Sequence, residues 1–236
     1  MNRTSYFVIL TLFLANVAFA GEAAIRSAMQ EKFPYSRLIS VAQTPYLGLY
    51  EVVFDNQLVY TDEKMRYLFS GNIIDLRTMH NLTRAREREV YVSNFNNLPF
   101  ELAIRNVKGN GDRKLAVFTD PNCQYCKKLE REMADLNNAT VYIFMISILP
   151  GSEDLTKAVW CSPDRLKAWE SHMLSGTTPA QGISCDTAAL ATISMHAKEL
   201  GINVTPTLVF EDGSIRPGTL TLELLNQQLA ASRMTD

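Results

Sequence analysis

The chain has 236 residues, with 23 basic against 25 acidic side chains and a formal charge of −2. That length holds one large domain or two small ones. The mildly acidic balance leaves no electrostatic footprint for nucleic acid, and beyond the first residues no stretch is long and apolar enough to span a membrane.

In chain order, Arg3 supplies a basic start, residues 7–14 an apolar stretch, and Ala18-Phe19-Ala20 a small-x-small cleavage pattern before Gly21. Residues 1–20 are therefore expected to be an export signal whose removal leaves a soluble, exported protein. The alternative is an uncleaved anchor, for which the apolar run is short against the roughly 20 residues a bilayer span needs. No cysteine follows the cleavage pattern, which argues against a lipoprotein.

Residues 21–80 form the first expected domain. Ile25, Ala28, Met29 and Phe33 recur at helical spacing, predicting a helix over 22–33. Residues 47–54 and 57–61 read as two strands about an Asp55-Asn56 turn, and 65–69 and 72–76 as two more broken at Ser70-Gly71. Such a small antiparallel β unit has few residues with which to bury a core, and pairing with a second copy would cover it. Residues 81–99 are polar and charged and are expected to be a linker, helical at its start, ended by Leu98-Pro99.

Residues 100–236 alternate strand and helix. The pattern predicts a strand over 101–107, a turn at Gly109-Asn110-Gly111, a strand over 115–119, a helix over 123–137 and a strand over 140–146. Helical patterns follow over 152–175 and 186–200. A strand over 204–210 containing Pro206, a hairpin turn at Asp212-Gly213 and a closing helix over 220–230 complete the chain. The expected fold is an α/β (α+β) sandwich around a central sheet. Trp160, Trp169, Met173 and Met195 read as core.

The chemistry centres on Cys123-Gln124-Tyr125-Cys126, which follows an apolar strand and opens a helix. A helix N-terminus offers unpaired N–H groups and partial positive charge that stabilise a thiolate, the species that attacks disulfides. Cys123, at the exposed helix start, is the expected nucleophile, and Cys126 faces back along the apolar stripe. Lys127 and Lys128 read first as ordinary solvated residues, although their positive charge favours a thiolate nearby.

The four cysteines allow three pairings. The simplest joins Cys123 to Cys126 and Cys161 to Cys185, the latter as a structural bridge. A zinc site using all four is the alternative, although only one closely spaced ligand pair exists. Pro206 in a predicted strand removes a ladder hydrogen bond. Either the Thr205-Pro206 peptide is cis, which would let the loop sit beside Cys123 and pair with a substrate backbone, or the proline is trans on an edge strand. His80, His172 and His196 read as surface or packing residues. No Ser/His/Asp triad, phosphate loop or metal-protease motif is present, and no cofactor is expected.

Val117-Phe118-Thr119-Asp120 before the dithiol, the Tyr125-Cys126 ending, Trp160-Cys161, Ser184-Cys185-Asp186 and Val204-Thr205-Pro206-Thr207 together resemble the DsbC/DsbG family of periplasmic disulfide isomerases. Val59-Tyr60-Thr61-Asp62, Asp75-Leu76 and Asn81-Leu82-Thr83 extend the likeness into the first half. The resemblance implies a thioredoxin-like catalytic domain with a helical insertion, and a small antiparallel β dimerisation domain of cystatin-like type. It also implies a V-shaped homodimer with a shared cleft, Cys161–Cys185 as the structural disulfide and Thr205-Pro206 as a cis-proline loop. Thioredoxin-type reductases carry a buried Asp six residues before the first active-site cysteine; Val117 stands there, which argues against a general reductase. Gln124 departs from the glycine common at that place. The expected activity is isomerisation of wrong disulfides in exported proteins, with a DsbD-like membrane reductase keeping the dithiol reduced. Two rivals are a DsbG-like reductase of oxidised single cysteines and a periplasmic holdase chaperone.

Overall fold

The computed structural model describes residues 21–55, 57–180, 182 and 184–233. The expected export signal, residues 1–20, lies outside them. The chain divides into two compact units, one reaching Glu87 and the other starting at Arg88.

The first unit begins with a helix, α1, whose described residues are 21–32. Four antiparallel strands follow in spatial order β1 (Leu38–Gln43), β2 (Tyr50–Phe54), β3 (Gln57–Thr61) and β4 (Leu68–Phe69). A two-stranded ribbon, β5 (Ile74–Asp75) with β6 (His80–Asn81), leads into α2 (Leu82–Asn96). Ile25 and Met29, one helical turn apart, pack against Val41, Tyr50, Val52 and Val59. Every residue of β2 is buried, so its second face is covered as well. There Glu51 meets Arg86 of α2 at 3.1 Å, and the Tyr60 and Thr83 hydroxyls lie 2.8 Å apart. The expected strands over 65–69 and 72–76 shrink to two-residue ladders: Asp62 binds the backbone N–H groups of Arg66 and Tyr67 and folds the first stretch into a turn, and Asp75 binds the Arg77 N–H where the second turns back. Tyr67, Leu68 and Phe69 remain exposed at the sheet's β4 end.

The described residues of the second unit hold, after the end of α2, a five-stranded sheet and five α-helices. In chain order they are β7 (Ile104–Lys108), β8 (Arg113–Thr119), α3 (Gln124–Ala134), β9 (Ala139–Met145), α4 (Ser152–Trp160), α5 (Arg165–Ser175), α6 (Ala188–Glu199), β10 (Thr207–Phe210), β11 (Ile215–Pro217) and α7 (Leu222–Ala231). The spatial order is β11-β10-β8-β9-β7, with only β8 and β9 parallel. That parallel pair needs a crossover, and α3 supplies it. β8 is central, which explains its uninterrupted apolar run Leu115–Phe118, buried on both faces. Cys126, Leu129 and Met133 line the inner face of α3, and Trp169 and Met173 that of α5, within one core.

Three expectations change here. The helical pattern over 152–175 is two helices: Pro163 disfavours helical backbone at Ser162, and Asp164 caps α5 by accepting the Lys167 N–H at 3.0 Å. Phe100–Leu102 is a 3-10 turn ahead of β7. Met195 is 58% exposed, on the outer face of α6, whereas Trp160, Trp169 and Met173 are buried.

Gly213 is required where it stands. Its φ is +78°, and a Cβ would fall on the Tyr91 carbonyl of the second half of α2. Asn94 binds the Gly213 carbonyl at 3.2 Å, fastening the helix to the β10–β11 hairpin.

Candidate active site

The site forms where β8 ends. The Asp120 carboxylate is fully buried and accepts four hydrogen bonds: from the Asn122 N–H (2.8 Å), the Ser152 hydroxyl (2.5 Å), and the N–H groups of Ile148 (2.9 Å) and Leu149 (3.0 Å). It ties the turn before the dithiol to the loop after β9. The Cys123 N–H returns to the Asp120 carbonyl at 3.1 Å, which closes the turn and starts α3.

Cys123 is the N-cap of α3. Its sulfur accepts the Cys126 N–H at 3.2 Å, and its thiol donates to the Thr205 carbonyl at 3.3 Å. Both cysteines are free thiols. Cys126 is 1% exposed, and its thiol is pushed up to about 12, first by burial and then by its hydrogen bond with Cys123. Gln124 and Tyr125 are exposed, Tyr125 to 70%; the Thr219 hydroxyl donates to the Tyr125 carbonyl at 2.9 Å, fixing the first turn.

Cys123 differs from the expected exposed residue: it is 5% exposed. The reason is the loop around Thr205, which lies directly over its sulfur. Pro206 is also not inside a strand. It directly precedes β10, and its missing N–H costs the ladder nothing there. The Thr205-Pro206 peptide is cis. Register brings the loop to this place: Leu208 pairs with Val117 and Thr207 with Phe118, so the chain before β10 runs back over the end of β8. Val117 itself is buried between Leu208 and Ile143, and no acid takes its place.

Cys161 and Cys185 form a disulfide, joining the end of α4 to the segment that leads into α6. Trp160 donates to the Asp186 carbonyl at 3.0 Å and lies under the Arg165 guanidinium at 3.7 Å. Among the described residues no cluster of three or more His, Cys, Asp or Glu side chains could hold a metal ion.

An open cavity of about 440 Å³ is walled by Ile146–Ile148 after β9, by Ala197 and Lys198 of α6, and by Gly201–Asn203, which precede Thr205 in the chain. Val204 and Ile148 are partly exposed next to it.

Of two buried polar residues on α3 and α5, Glu130 is absent from the sequence reading and His172 appears there only as a surface or packing residue. Trp169 donates to the Glu130 carboxyl at 2.7 Å, and burial pushes that carboxyl up to about 7. His172 is 6% exposed, with Nε2 3.0 Å from the Pro121 carbonyl and Nδ1 3.3 Å from that of Thr177. A charged or polar residue on the inner, apolar stripe of a helix is the signal that finds both.

Residues 16–84 match the family described as the disulfide bond isomerase protein N-terminal domain, and residues 100–232 the thioredoxin-like domain. A probable thiol:disulfide interchange protein DsbC of Bordetella parapertussis is 36% identical over 207 residues, which cover 87% of this chain and 73% of the relative. The DsbC of Salmonella typhimurium is 28% identical over 92% of this chain and 90% of its own. A crystal structure of a disulfide interchange protein from Neisseria gonorrhoeae is 36% identical, with a TM-score of 0.55, over 58% of this chain and all of that one. With a thioredoxin-like sheet, a dithiol at a helix cap and matches in both halves, the chain belongs to the DsbC family of thiol:disulfide interchange proteins.

Proposed function

We propose that the chain isomerises wrong disulfides in exported proteins, with Cys123 as nucleophile and Cys126 as resolving thiol. The carrying observation is the Cys123 sulfur at the cap of α3, facing the Cys126 N–H at 3.2 Å and the Thr205 carbonyl at 3.3 Å. Helix-end N–H groups stabilise negative charge on sulfur.

Cys123 thiolate attacks one sulfur of a client disulfide. A Cys123–client disulfide forms, the client S–S bond breaks, and the second client sulfur leaves as a thiolate that takes up a proton. A client thiolate then attacks the client sulfur of the mixed disulfide and expels Cys123, so that bonds are exchanged with no net electron transfer. Alternatively Cys126 loses its proton and attacks the Cys123 sulfur. The client then leaves with two thiols, and a Cys123–Cys126 disulfide remains.

The height of the Cys126 thiol favours the first outcome. Burial and the hydrogen bond with Cys123 keep the Cys126 thiolate scarce at neutral pH. With Val117 in place of a buried acid, β8 offers no proton acceptor at that position. Resolution is therefore slow, and the mixed disulfide persists long enough for the client to rearrange. After each reductive turnover a dithiol donor must restore the pair, and a DsbD-like membrane reductase is that donor.

The setting belongs to the same reading. An export signal over residues 1–20 places the chain in the periplasm, and no helix among the described residues is long and apolar enough to cross a membrane. Tyr67, Leu68 and Phe69, exposed beside the β4 edge, support pairing of two copies through the first unit. The cavity before Thr205 and the exposed Tyr125 offer an unfolded client apolar contacts beside its cysteine.

Refolding of a scrambled multi-disulfide client tests the assignment. Wild-type chain should restore activity to the client at sub-stoichiometric concentration and Cys123→Ser should not; full activity in the variant would overturn the proposal.

A further inference from the structure

We infer that His172 is a positioning residue for thiol exchange: through the Pro121 carbonyl it holds the peptide plane that leads into Cys123. The inference rests on the reading of Cys123 as nucleophile.

Each His172 ring nitrogen faces a carbonyl oxygen, which only accepts; a neutral ring carries one hydrogen, and the shorter contact, Nε2 to the Pro121 oxygen at 3.0 Å against 3.3 Å for Nδ1 to Thr177, is assigned as the donating one. That oxygen and the Asn122 N–H belong to one peptide plane. The N–H end is bound by Asp120 Oδ1 at 2.8 Å, so the plane is gripped at both ends by buried side chains. One grip comes from the end of β8 and the other from α5, 51 residues away. The next N–H, that of Cys123, is already bound to the Asp120 carbonyl. His172 thus tethers this turn to α5, beside the links that Asp120 and Asn122 make to the loop after β9.

α5 is itself held in register. Trp169 donates to Glu130 of α3 at 2.7 Å, and Asn106 of β7 donates to Glu170 at 2.9 Å. The second ring nitrogen of His172 faces the Thr177 carbonyl just beyond the end of α5. A registered helix can transmit a fixed position to the turn it touches; a loose one cannot. Attack on a disulfide needs the sulfur in line with the S–S bond, and misplacement by about 1 Å costs on the order of 100-fold in such aligned reactions. Losing one of two grips on the plane is a smaller disturbance, and about tenfold is expected.

A purely packing role for the ring is the competing account, and three variants separate the two. His172→Gln carries an amide nitrogen at the reach of Nε2, His172→Asn carries it at the reach of Nδ1, and His172→Phe keeps the bulk without a donor. The full chain, reduced, is mixed with oxidised glutathione, and the rate of mixed-disulfide formation at Cys123 is measured by stopped reaction and mass spectrometry. Melting temperatures are recorded alongside. Phe and Asn should each slow the reaction about tenfold, and Gln should return it to within about threefold of wild type, whatever the order of the melting temperatures. The comparison of Asn with Gln decides the matter if the Phe variant does not fold. Wild-type rates in Phe or Asn, or equal slowing in Gln and Asn, would overturn the role of His172 alone. A wild-type chain whose Cys123 is inert to glutathione disulfide would overturn the nucleophile reading, and this inference with it.

Discussion

The Cys123 thiol and the Thr205 carbonyl lie 3.3 Å apart although 82 residues separate them. The antiparallel pairing of β10 with β8 accounts for this, because it returns the chain across the strand end where α3 starts. Cys123, the proposed nucleophile, is thereby roofed by backbone, and on that proposal a client presents its disulfide alongside that loop.

The slow-resolution argument predicts what an acid at position 117 does. Val117→Asp should raise reduction of a scrambled client relative to isomerisation by roughly 100-fold, the low end of what a positioned base contributes. A buried carboxyl at that point should also destabilise the fold, by about 2–4 kcal/mol. The ratio of reduced to rearranged client, separated chromatographically, checks the first part. An unchanged ratio would remove Val117 from the account.

Glu130 predicts a pH dependence of stability. Its ordinary value is 4.5, and in the fold burial pushes it up to about 7 against the opposing hydrogen bond from Trp169. Between those values the native chain keeps a proton that the unfolded chain has lost. Stability therefore falls as pH rises through this window, by roughly 3 kcal/mol in all, and levels off above it. Glu130→Gln keeps an acceptor for Trp169 and abolishes the titration. Denaturant melts from pH 4.5 to 8 should show a decline in wild type and a flatter profile in the variant. Parallel profiles would contradict the buried carboxyl's role.

Removing the bridge by Cys161→Ser with Cys185→Ser opens a loop with a sequence separation of 24. The expected loss is about 3–4 kcal/mol. Exchange at Cys123 should be spared at temperatures where the variant is folded. Chemical denaturation gives the first quantity, and the rate with a small disulfide gives the second.

Gly213→Ala should cost about 2–3 kcal/mol, because it combines a left-handed backbone with a collision on the Tyr91 carbonyl. Since the collision is between α2 and the β10–β11 hairpin, limited proteolysis near 91–96 should quicken as well. A variant as stable as wild type, with α2 equally protected, would show that the close approach is not required.

What could be read from the sequence follows range of interaction. The strand-turn-helix about Cys123 is legible because its causes are local: an apolar run, turn residues and a capping cysteine. The β unit, the linker's helical start and the α/β order are legible in the same way. Pro206 marks a special backbone position, but its strand starts at Thr207, three residues later than the apolar pattern suggests. The break of the 152–175 pattern into α4 and α5 is signalled by Pro163, which apolar spacing alone passes over. Burial of Cys123 is not local at all, since it depends on a loop brought in by sheet register. What Glu130 and His172 pair with is hidden for the same reason. Their partners, Trp169 and Pro121, lie 39 and 51 residues away, and a histidine on a helix carries no mark of which carbonyl it will meet.

The most direct measurement is to trap the client intermediate. Reduced Cys126→Ser chain is mixed with a scrambled disulfide client, alkylated, digested without reduction and mapped by mass spectrometry. The account predicts a one-to-one adduct whose cross-link is on Cys123, and no adduct in Cys123→Ser with Cys126 intact. An adduct of equal yield in Cys123→Ser, or none in Cys126→Ser, would contradict it.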